Sequence, residues 1–428
     1  MRRWLSAFSL IALLLSPSVS WAQSGPSNCS TTSQNLYVRD VLSDLYLWYD
    51  HLPTVNPANY PSPEAYLDAV RYRPIDNTYS YITSAAANDA FYSDSQFIGF
   101  GFSTQLAGSE MRVLQVFDDS PALEAGLGRG YRITTINGQD VAGLIASGRI
   151  DGAFGASEIG VEGDITFETR GGEPRQAHMV KRLVTIPTVS LTSAFDVDGR
   201  RVGYLFFRNF VKPSVAALDQ AFAALRDAGA TELVLDLRYN GGGLVDVAVH
   251  LASLIGGSRT SGQVLANYVH NDKNVRYNQT LRFENPTPAL NLSRLVVITT
   301  RSSASASELV INALRPYMPV VIVGDTTYGK PVGQYGFTFC TTVLAPVAFS
   351  LKNAAGQGDY FTGLPATCAA ADDILHDLGA AGEASLAEAL TFIRTGACSP
   401  AAPAAARTLG LLETGPRAQG WMSLINAW

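Results

Sequence analysis

Residues 233–243 read LVLDLRYNGGG, a short apolar strand that runs into three consecutive glycines. Two further apolar runs, residues 295–300 (LVVITT) and 320–323 (VVIV), are each followed by a loop of small or polar residues. Helical patterns lie between these runs, and continuous apolar strands separated by helices are typical of a sheet whose two faces are both covered. The sequence therefore predicts an α/β architecture from about residue 186 onward.

The same region contains further predicted elements. Residues 202–207 are a strand candidate, residues 214–228 form a predicted helix, and a second helix is expected from the 302–307 loop through residue 317. Because α/β folds build their sites from the loops that follow the strands, the loops after the three apolar runs are the candidate site.

The three loops carry different chemistry. Residues 240–243 (NGGG) let backbone N–H groups approach a ligand without side-chain obstruction. Residues 303–308 (SASASE) expose a hydroxyl at a helix N-terminus, where free N–H groups and a partial positive charge are available. Residues 327–330 (TYGK) add a lysine. Together the loops suggest nucleophilic catalysis.

A serine hydroxyl is a weak nucleophile and needs a base. The chain has five histidines, none of them in these loops, and it has no GxSxG elbow. A lysine can act as the base if burial keeps it neutral, whereas arginine stays charged. The chain has only five lysines, so Lys330, between Gly329 and Pro331 in the third loop, is noticeable as one that could have this role.

Three strings carry a resemblance to a known family: LVLDLRYNGGG (233–243), SASASELVINAL (303–314) and VVIVGDTTYGKPVGQ (320–334). They resemble the carboxyl-terminal processing, or tail-specific, serine peptidases over about residues 97–337. The resemblance implies a PDZ domain before an α/β catalytic core of the ClpP/crotonase-like type.

The resemblance also implies roles for single residues. Ser305 corresponds to the nucleophile, Lys330 to the base and Gln334 to the residue that supports the lysine. The oxyanion is expected to be held by the backbone N–H groups of Gly242 and Ala306.

Two supporting residues lie inside the matched strings. Glu308 is either a first-turn carboxylate that complements the helix dipole or a residue with a direct role. Thr327 is either a hydrogen-bond partner of Lys330 or a residue without a direct role. Ser302, Ser303 and Ser307 are interpreted as loop and capping residues.

Short strands and glycine-rich turns between residues 96 and 185 predict a PDZ domain. The loop Gly99, Phe100, Gly101 and Phe102 matches the family's carboxylate-binding loop, where successive backbone N–H groups hold a peptide C-terminus. The sequence departs from the family where Gly-Asp is usual, since residues 130–132 read Gly-Tyr-Arg. An ordinary glycine-rich hairpin is the alternative.

Residues 30–95 are predicted to form a helical cap. Apolar and aromatic residues recur at helical spacing over residues 33–50, and residues 63–71 suggest a second helix. The stretches 45–49 and 76–82 resemble a cap found in some family members. At the other end, residues 396–428 form a predicted Ala/Pro-rich tail after a core that spans residues 186–395.

The first 22 residues read as an export signal. Two arginines precede an apolar run, and small residues at 20 and 22 predict cleavage after Ala22. The run is too short for a permanent membrane anchor, although a retained anchor is the alternative. The mature protein is therefore expected in the periplasm or outside the cell, without a stable membrane anchor.

In an exported chain, four cysteines favour disulfides. We expect Cys340–Cys368 and Cys29–Cys398, although four cysteines permit three pairings. A metal site is less favoured because no CxxC or HExxH spacing occurs.

The composition of the chain narrows the classes of partner that are expected. The chain has 428 residues, 47% of them hydrophobic and 16% charged, with a net charge of −6 and no block of Lys or Arg. Nucleic acid is therefore not an expected partner, and no cofactor is expected. The expected substrates are proteins or peptides with accessible C-termini; the oligomeric state is left open.

Two other functions compete with peptidase activity. Retinoid-binding repeats resemble the same core without peptidase activity, so a non-catalytic binder is one alternative. A scaffold that works through a PDZ domain alone is the other. The simultaneous presence of Ser305, Lys330 and Gln334 favours the peptidase, because a binder needs none of the three.

Overall fold

The computed structural model describes residues 25–400. The predicted signal peptide and most of the predicted tail lie outside these residues. Three successive stretches are named here by position: the N-terminal region (25–95), the middle region (96–185) and the C-terminal region (186–400).

The N-terminal region is mostly helical. Its elements are α1 (Thr31–Leu45), α2 (Pro63–Val70), β1 (Tyr81–Ser84) and α3 (Ala85–Asp94). Ser30 and Ser62 cap α1 and α2 by accepting backbone N–H groups of the first turn. The prediction that the first helix continues to residue 50 is wrong, because Tyr46 leaves the helix to bury its ring and donate to Asp76.

The middle region is largely β-structure. Its elements are β2 (Gln96–Gly99), β3 (Phe102–Ala107), β4 (Glu110–Val116), α4 (Pro121–Glu124), β5 (Arg132–Ile136), β6 (Gln139–Asp140), α5 (Val141–Ala146), β7 (Glu162–Glu168), β8 (Pro174–Val180) and β9 (Arg182–Thr185). One antiparallel sheet has the order β3-β4-β5-β7-β8, with β6 paired to β5. The first and last strands of the region, β2 and β9, pair with each other and close it off.

The C-terminal region contains the main sheet. Its elements are β10 (Val189–Val197), β11 (Arg200–Phe207), α6 (Ser214–Asp227), β12 (Glu232–Asp236), α7 (Val245–Gly256), β13 (Val264–His270), β14 (Thr280–Arg282), β15 (Leu295–Thr299), α8 (Ala306–Leu314), β16 (Val320–Gly324), β17 (Val332–Gln334), β18 (Phe337–Phe339), β19 (Thr342–Ala345), β20 (Val347–Lys352), β21 (Cys368–Ala369) and α9 (Ala384–Thr395).

The main sheet has the order β10-β11-β12-β15-β16-β21. All its pairs are parallel except β10 with β11. Residues of α6, α7 and α8 share one buried cluster with the sheet, and α9 covers the opposite face. The predicted α/β architecture is confirmed, and the three candidate loops follow β12, β15 and β16 at one edge of the sheet.

Strand pairing joins the N-terminal region to the C-terminal region. β1 pairs with β19, so the two regions share the sheet β1-β19-β18. Residues of α1 and α2 pack against Val332, Phe339 and Val347 from β17, β18 and β20. A second small sheet, β14-β13-β20-β17, carries Gln334 at the end of β17.

The two disulfides differ from the expected pairing. Cys29 bonds Cys340, and Cys368 bonds Cys398. The first pair forms because α1 packs against β18, next to the turn that carries Cys340; Tyr37 and Phe339 are in ring contact there. The second forms because α9 packs over β16, which pairs with the strand that carries Cys368.

Across residues 25–400, no helix combines the length and the apolar character that a membrane crossing requires.

Candidate active site

Ser305 lies in the turn between β15 and α8, immediately before the first helical residue. Its φ is +55°, in the left-handed region that costs a non-glycine residue about 1–3 kcal/mol. The side chain is half-buried while both neighbours, Ala304 and Ala306, are buried. Such a strained position at a helix N-terminus is common where a side chain must be presented to a ligand.

The other serines of this loop hold the turn in place. Ser303 Oγ accepts from Thr300 N at 3.0 Å and donates to Leu237 O at 2.7 Å. Ser307 Oγ donates to Asn240 O at 2.9 Å. These bonds connect the turn after β15 to the loop after β12, so both serines have structural roles.

Glu308 connects the serine loop to the lysine loop. Its side chain is fully buried. Oε2 accepts from Ser305 N at 2.9 Å and from Lys330 N at 2.8 Å, and Oε1 accepts from Gly329 N at 2.7 Å. Burial raises the pKa of Glu308, and these hydrogen bonds oppose the rise because they favour the carboxylate. One carboxylate oxygen thus holds the backbones of Ser305 and Lys330 together.

Thr327 is a partner of Glu308 in the structure. Its Oγ1 donates to Glu308 Oε1 at 2.5 Å and accepts from Leu364 N at 2.7 Å. The hydroxyl proton is therefore used on the carboxylate, and Thr327 acts on the lysine loop through Glu308.

Lys330 is buried, with 7% of its surface exposed. Burial lowers the pKa of its ammonium from the ordinary value to about 8, against the opposing influence of the Asp76 and Glu308 carboxylates. Lys330 Nζ donates to Gln334 Oε1 at 2.6 Å. A substantial fraction of the lysine is therefore neutral near pH 8.

Gln334 is oriented by two backbone carbonyls. Its Nε2 donates to Ala345 O at 3.1 Å and to Tyr79 O. Because both amide hydrogens are used in this way, the amide oxygen is the group that faces Lys330. The spacing of four residues, together with the β17–β20 pairing, brings Gln334 back to the lysine.

The glycine loop packs directly against the serine turn. Gly242 has a φ of +95°, and a Cβ added there would lie 2.7 Å from Ala306 N and 2.9 Å from Ser305 Cβ. Only glycine fits this approach. Gly242 N donates to Asn240 Oδ1 at 2.9 Å, so the first expected oxyanion donor is engaged within its own loop. Ala306 N belongs to the first turn of α8, beside Gly242.

The expected peptide-binding loop lies in the middle region, between β2 and β3. Residues Gly99, Phe100, Gly101 and Phe102 are all buried. The carbonyls of Phe100 and Gly101 accept from Ala122 N and Phe117 N, both at 2.9 Å. The rings of Phe100 and Phe102 contact Phe154 at centroid distances of 6.3 and 5.8 Å. The loop is therefore covered by its own region in this structure.

Sequence reasoning missed two residues at the site, Asp76 and Tyr79. The backbone carbonyl of Tyr79 accepts a hydrogen bond from Gln334 Nε2, and the Tyr79 hydroxyl donates to Gly329 O at 2.6 Å. Asp76 is fully buried and influences the charge of Lys330. From the sequence, the stretch 76–82 is predicted only as part of a helical cap. Local patterns do not indicate a contact with a loop that lies about 250 positions away in the chain.

The fold and the site together define a class. A serine at a helix N-terminus, a buried lysine and a glycine loop meet at the edge of an α/β sheet, and this combination indicates a serine peptidase.

Comparisons with known proteins agree with this class. Residues 201–349 match the model of Peptidase family S41, and residues 33–81 match the Peptidase S41 N-terminal domain. A carboxy-terminal-processing protease of Bartonella bacilliformis is 26% identical over 284 residues, covering 63% of this chain and 62% of that protein. The carboxy-terminal processing protease CtpB of Bacillus subtilis is 29% identical over 246 residues, covering 56% and 48%.

Solved structures are similar as well. A Bacteroides fragilis protein assigned to the S41 proteases has a TM-score of 0.67 and 27% identity, covering 87% of this chain and 98% of that one. A photosystem II D1 C-terminal processing protease has the same fold, with a TM-score of 0.50 and 20% identity, covering 79% and 92%.

Two segments of the chain, residues 33–81 and 201–349, thus match models of peptidase family S41, and the expected resemblance to carboxyl-terminal processing peptidases is confirmed. It spans about half to three-fifths of the length of the curated relatives it matches.

Proposed function

We propose that this protein is an exported serine endopeptidase in which Ser305 is the nucleophile and Lys330 is the general base. The observation that carries the proposal is the environment of Lys330: buried, with a pKa lowered to about 8, hydrogen-bonded to a neutral amide and tied through Glu308 to the backbone of Ser305. A lysine used only for surface charge needs none of these features.

The proposed reaction is acyl transfer. Neutral Lys330 Nζ takes the hydroxyl proton of Ser305 while Oγ forms a bond to the scissile carbonyl carbon. The resulting ammonium then gives the proton to the leaving amine as the C–N bond breaks. Water, activated by the same lysine, hydrolyses the acyl-enzyme and regenerates the serine. Gln334 holds the ammonium group in line through its amide oxygen.

The oxyanion would be held by backbone N–H groups of Gly242 and Ala306. Ala306 N is at the N-terminus of α8, where the helix dipole also favours negative charge. Gly242 N must turn from Asn240 Oδ1 toward the oxyanion or be shared with it. The loss of one such donor typically costs about 10²–10³ in rate.

Substrate selection is assigned to residues 96–185, which we propose form a PDZ domain. β3 is an edge strand of its sheet among the described pairings, and a peptide strand would add at this edge. The carboxylate would be held at the Gly99–Phe102 loop, which must first open because Phe154 covers it. The proposed substrates are proteins with accessible, apolar C-termini.

A non-catalytic binder is the second candidate. The closed Gly99–Phe102 loop and the internal bond of Gly242 N both fit a protein without turnover. The buried lysine argues against it, because a binding protein gains nothing from a desolvated ammonium that costs stability.

The test is digestion of an unfolded protein, such as casein, by the mature protein and two variants, Ser305→Ala and Lys330→Ala. We expect the wild type to cut and both variants to be folded but inactive. Ser302→Ala, in the same turn, and Lys212→Ala, an exposed lysine, are the matched controls and should retain activity.

Equal inertness of the wild type and both variants, even with C-terminal peptides added to open the middle region, would support the binder. Equal cleavage by the wild type and both variants would show that another group acts as nucleophile and base.

A further inference from the structure

The turn at residues 76–80 of the N-terminal region contacts both sides of the lysine loop. Tyr79 Oη donates to Gly329 O at 2.6 Å, and Tyr79 O accepts from Gln334 Nε2. The hydroxyls of Thr78 and Tyr328 lie 3.0 Å apart. The residue before Lys330 and the amide that contacts its ammonium are therefore both held by a segment about 250 positions away in the chain.

Asp76 fixes the shape of this turn. The carboxylate is fully buried and accepts from Ser80 N at 2.9 Å, Ser80 Oγ at 2.5 Å and Tyr46 Oη at 2.9 Å. Ser80 Oγ in turn accepts from Val347 N at 2.9 Å, which ties the turn to β20. All three donors to Asp76 are neutral, so its negative charge is solvated but not cancelled by them.

Two buried carboxylates from the elements packed around Lys330 influence its charge. Glu308 comes from α8 and Asp76 from the N-terminal region, and both oppose the effect of burial on the lysine. The ring of Tyr79 faces the lysine, 5.9 Å from Nζ, and burial raises the pKa of its hydroxyl, which keeps it neutral. Glu308 is already committed to three backbone N–H groups and a hydroxyl.

We propose that Asp76 and Tyr79 are positioning residues for the Lys330 base. Tyr79 holds Gly329 and Gln334 on either side of the lysine, and Asp76 supplies buried negative charge for the ammonium that forms when the Ser305 proton arrives. The inference rests on the proposed Ser305–Lys330 peptidase, and it gives the N-terminal region a part in proton transfer.

A buried ammonium is costly unless negative charge lies near it. The Ser305 O–H bond breaks and an N–H bond forms on Lys330, so positive charge appears at Nζ in the transition state. Asp76 has the role that the aspartate of a Ser–His–Asp triad has toward its histidine: it stabilises the protonated base without taking the proton.

The first test is Asp76→Asn, with the protonation of Lys330 followed directly by NMR of ¹³C-labelled lysine side chains. The chain has five lysines, and loss of one signal in Lys330→Met assigns the resonance. We expect the Lys330 pKa to fall by about one unit, a tenfold change in its protonation equilibrium, and the acid limb of kcat/KM to move with it.

Tyr46→Phe is the matched control. It removes one neutral donor from the same carboxylate and disturbs the same buried turn, but it leaves the negative charge in place. It should lower the melting temperature without lowering the Lys330 pKa. An Asp76→Asn variant with a lower melting temperature and an unchanged Lys330 pKa would assign Asp76 a structural role only and overturn the inference.

The second test is Tyr79→Phe, which removes the bond to Gly329 O and keeps the ring. We expect kcat to fall about tenfold with KM unchanged, because one hydrogen bond that aligns the base is lost. Tyr81→Phe, a buried tyrosine of the same stretch that hydrogen-bonds Tyr92, is the control and should keep the wild-type kcat. Equal kcat values for wild type and Tyr79→Phe would contradict a positioning role.

The NMR measurement also separates this inference from the peptidase proposal. If the wild type digests nothing but Asp76→Asn still lowers the Lys330 pKa, the peptidase proposal fails and the electrostatic coupling stands. If digestion depends on Ser305 and Lys330 but the Lys330 pKa is the same in wild type and Asp76→Asn, only the inference fails.

Discussion

At the scale of single residues, the proposed mechanism requires a lysine that can act as a base. Lys330 is buried and its ammonium contacts a neutral amide, so the charged form loses hydration without gaining a paired carboxylate at hydrogen-bond distance. The Asp76 and Glu308 carboxylates partly stabilise the charged form and keep the pKa of Lys330 near 8. The residue is thus able to accept a proton and, once protonated, to remain stable long enough to deliver it.

The pH dependence follows from the sign of this shift. The proposed base works only when neutral, and neutral lysine becomes the major form as pH rises through about 8. We expect kcat/KM to rise about tenfold per pH unit below 7 and to level off above 8. Measurement with a fluorogenic peptide between pH 5.5 and 9.5 checks this; a plateau that begins below pH 6 would contradict a lysine base.

Gly242 gives a second prediction at this scale. Gly242→Ala puts a Cβ 2.7 Å from Ala306 N, at a φ of +95° that alanine tolerates poorly. We expect kcat/KM to fall at least a hundredfold, as for loss of an oxyanion donor.

The control for Gly242→Ala is Gly229→Ala, which has a φ of +77° but open space around the added Cβ. Both variants should lose about 1 kcal/mol of stability from backbone strain, and Gly242→Ala should lose more because its Cβ also meets backbone atoms at 2.7 and 2.8 Å. If both variants lose activity to the same small extent, the glycine loop has no special role at the serine.

At the scale of elements, local sequence patterns were sufficient to predict the strands of the main sheet. β11, β12, β15 and β16 lie where the apolar runs predicted strands, because buried parallel strands read as continuous apolar stretches. The predicted end of α1 was wrong, because Tyr46 leaves the helix and donates to buried Asp76, 30 positions away in the chain. Patterns within a window of the sequence do not contain such distant contacts.

The residues of the candidate site likewise fall into two groups, those that local sequence patterns predict and those that they do not. The serine, lysine and glutamine lie in compact strings, whereas Asp76, Tyr79 and the Asn240–Gly242 bond depend on how distant segments pack. The disulfide pairing failed for this reason as well, because it follows from α1 and α9 packing over particular strands.

The disulfides can be tested by a peptide map under non-reducing conditions. We expect Cys29 linked to Cys340 and Cys368 linked to Cys398, because packing of α1 and α9 brings these pairs together. Double replacement of Cys29 and Cys340 by serine should cost about 2–4 kcal/mol in the free energy of unfolding. Recovery of a Cys29–Cys398 peptide would contradict the packing of both helices.

At the scale of the whole molecule, the three regions are joined by buried contacts. β1 pairs with β19 and binds the N-terminal region to the core. The middle region is held by Arg129, whose guanidinium donates to Tyr239 Oη at 3.1 Å and pairs with Asp372 at 3.4 Å. Tyr239 directly precedes the glycine loop, so the middle region contacts the residue next to the loop that packs on Ser305.

Removal of the Arg129 contacts should lower the free energy of unfolding. In Arg129→Leu the carboxylate of Asp372 loses its pair at 3.4 Å but keeps Arg238 at 3.3 Å, so we expect a loss of about 1–3 kcal/mol from the broken hydrogen bonds of the buried guanidinium. Urea unfolding measures the loss. Arg175→Leu, which breaks an exposed pair with Glu173 in the same region, is the control and should change stability by about 0.5 kcal/mol or less.

The most direct measurement is covalent labelling of the wild type by a fluorophosphonate, a reagent that reacts with activated serines, followed by mass spectrometry. We expect a single label on Ser305, at a rate that rises through pH 8 and that falls at least a hundredfold in Lys330→Ala. A label on another residue, or an equal rate on Ser305 in Lys330→Ala, would contradict the claim that Lys330 activates Ser305.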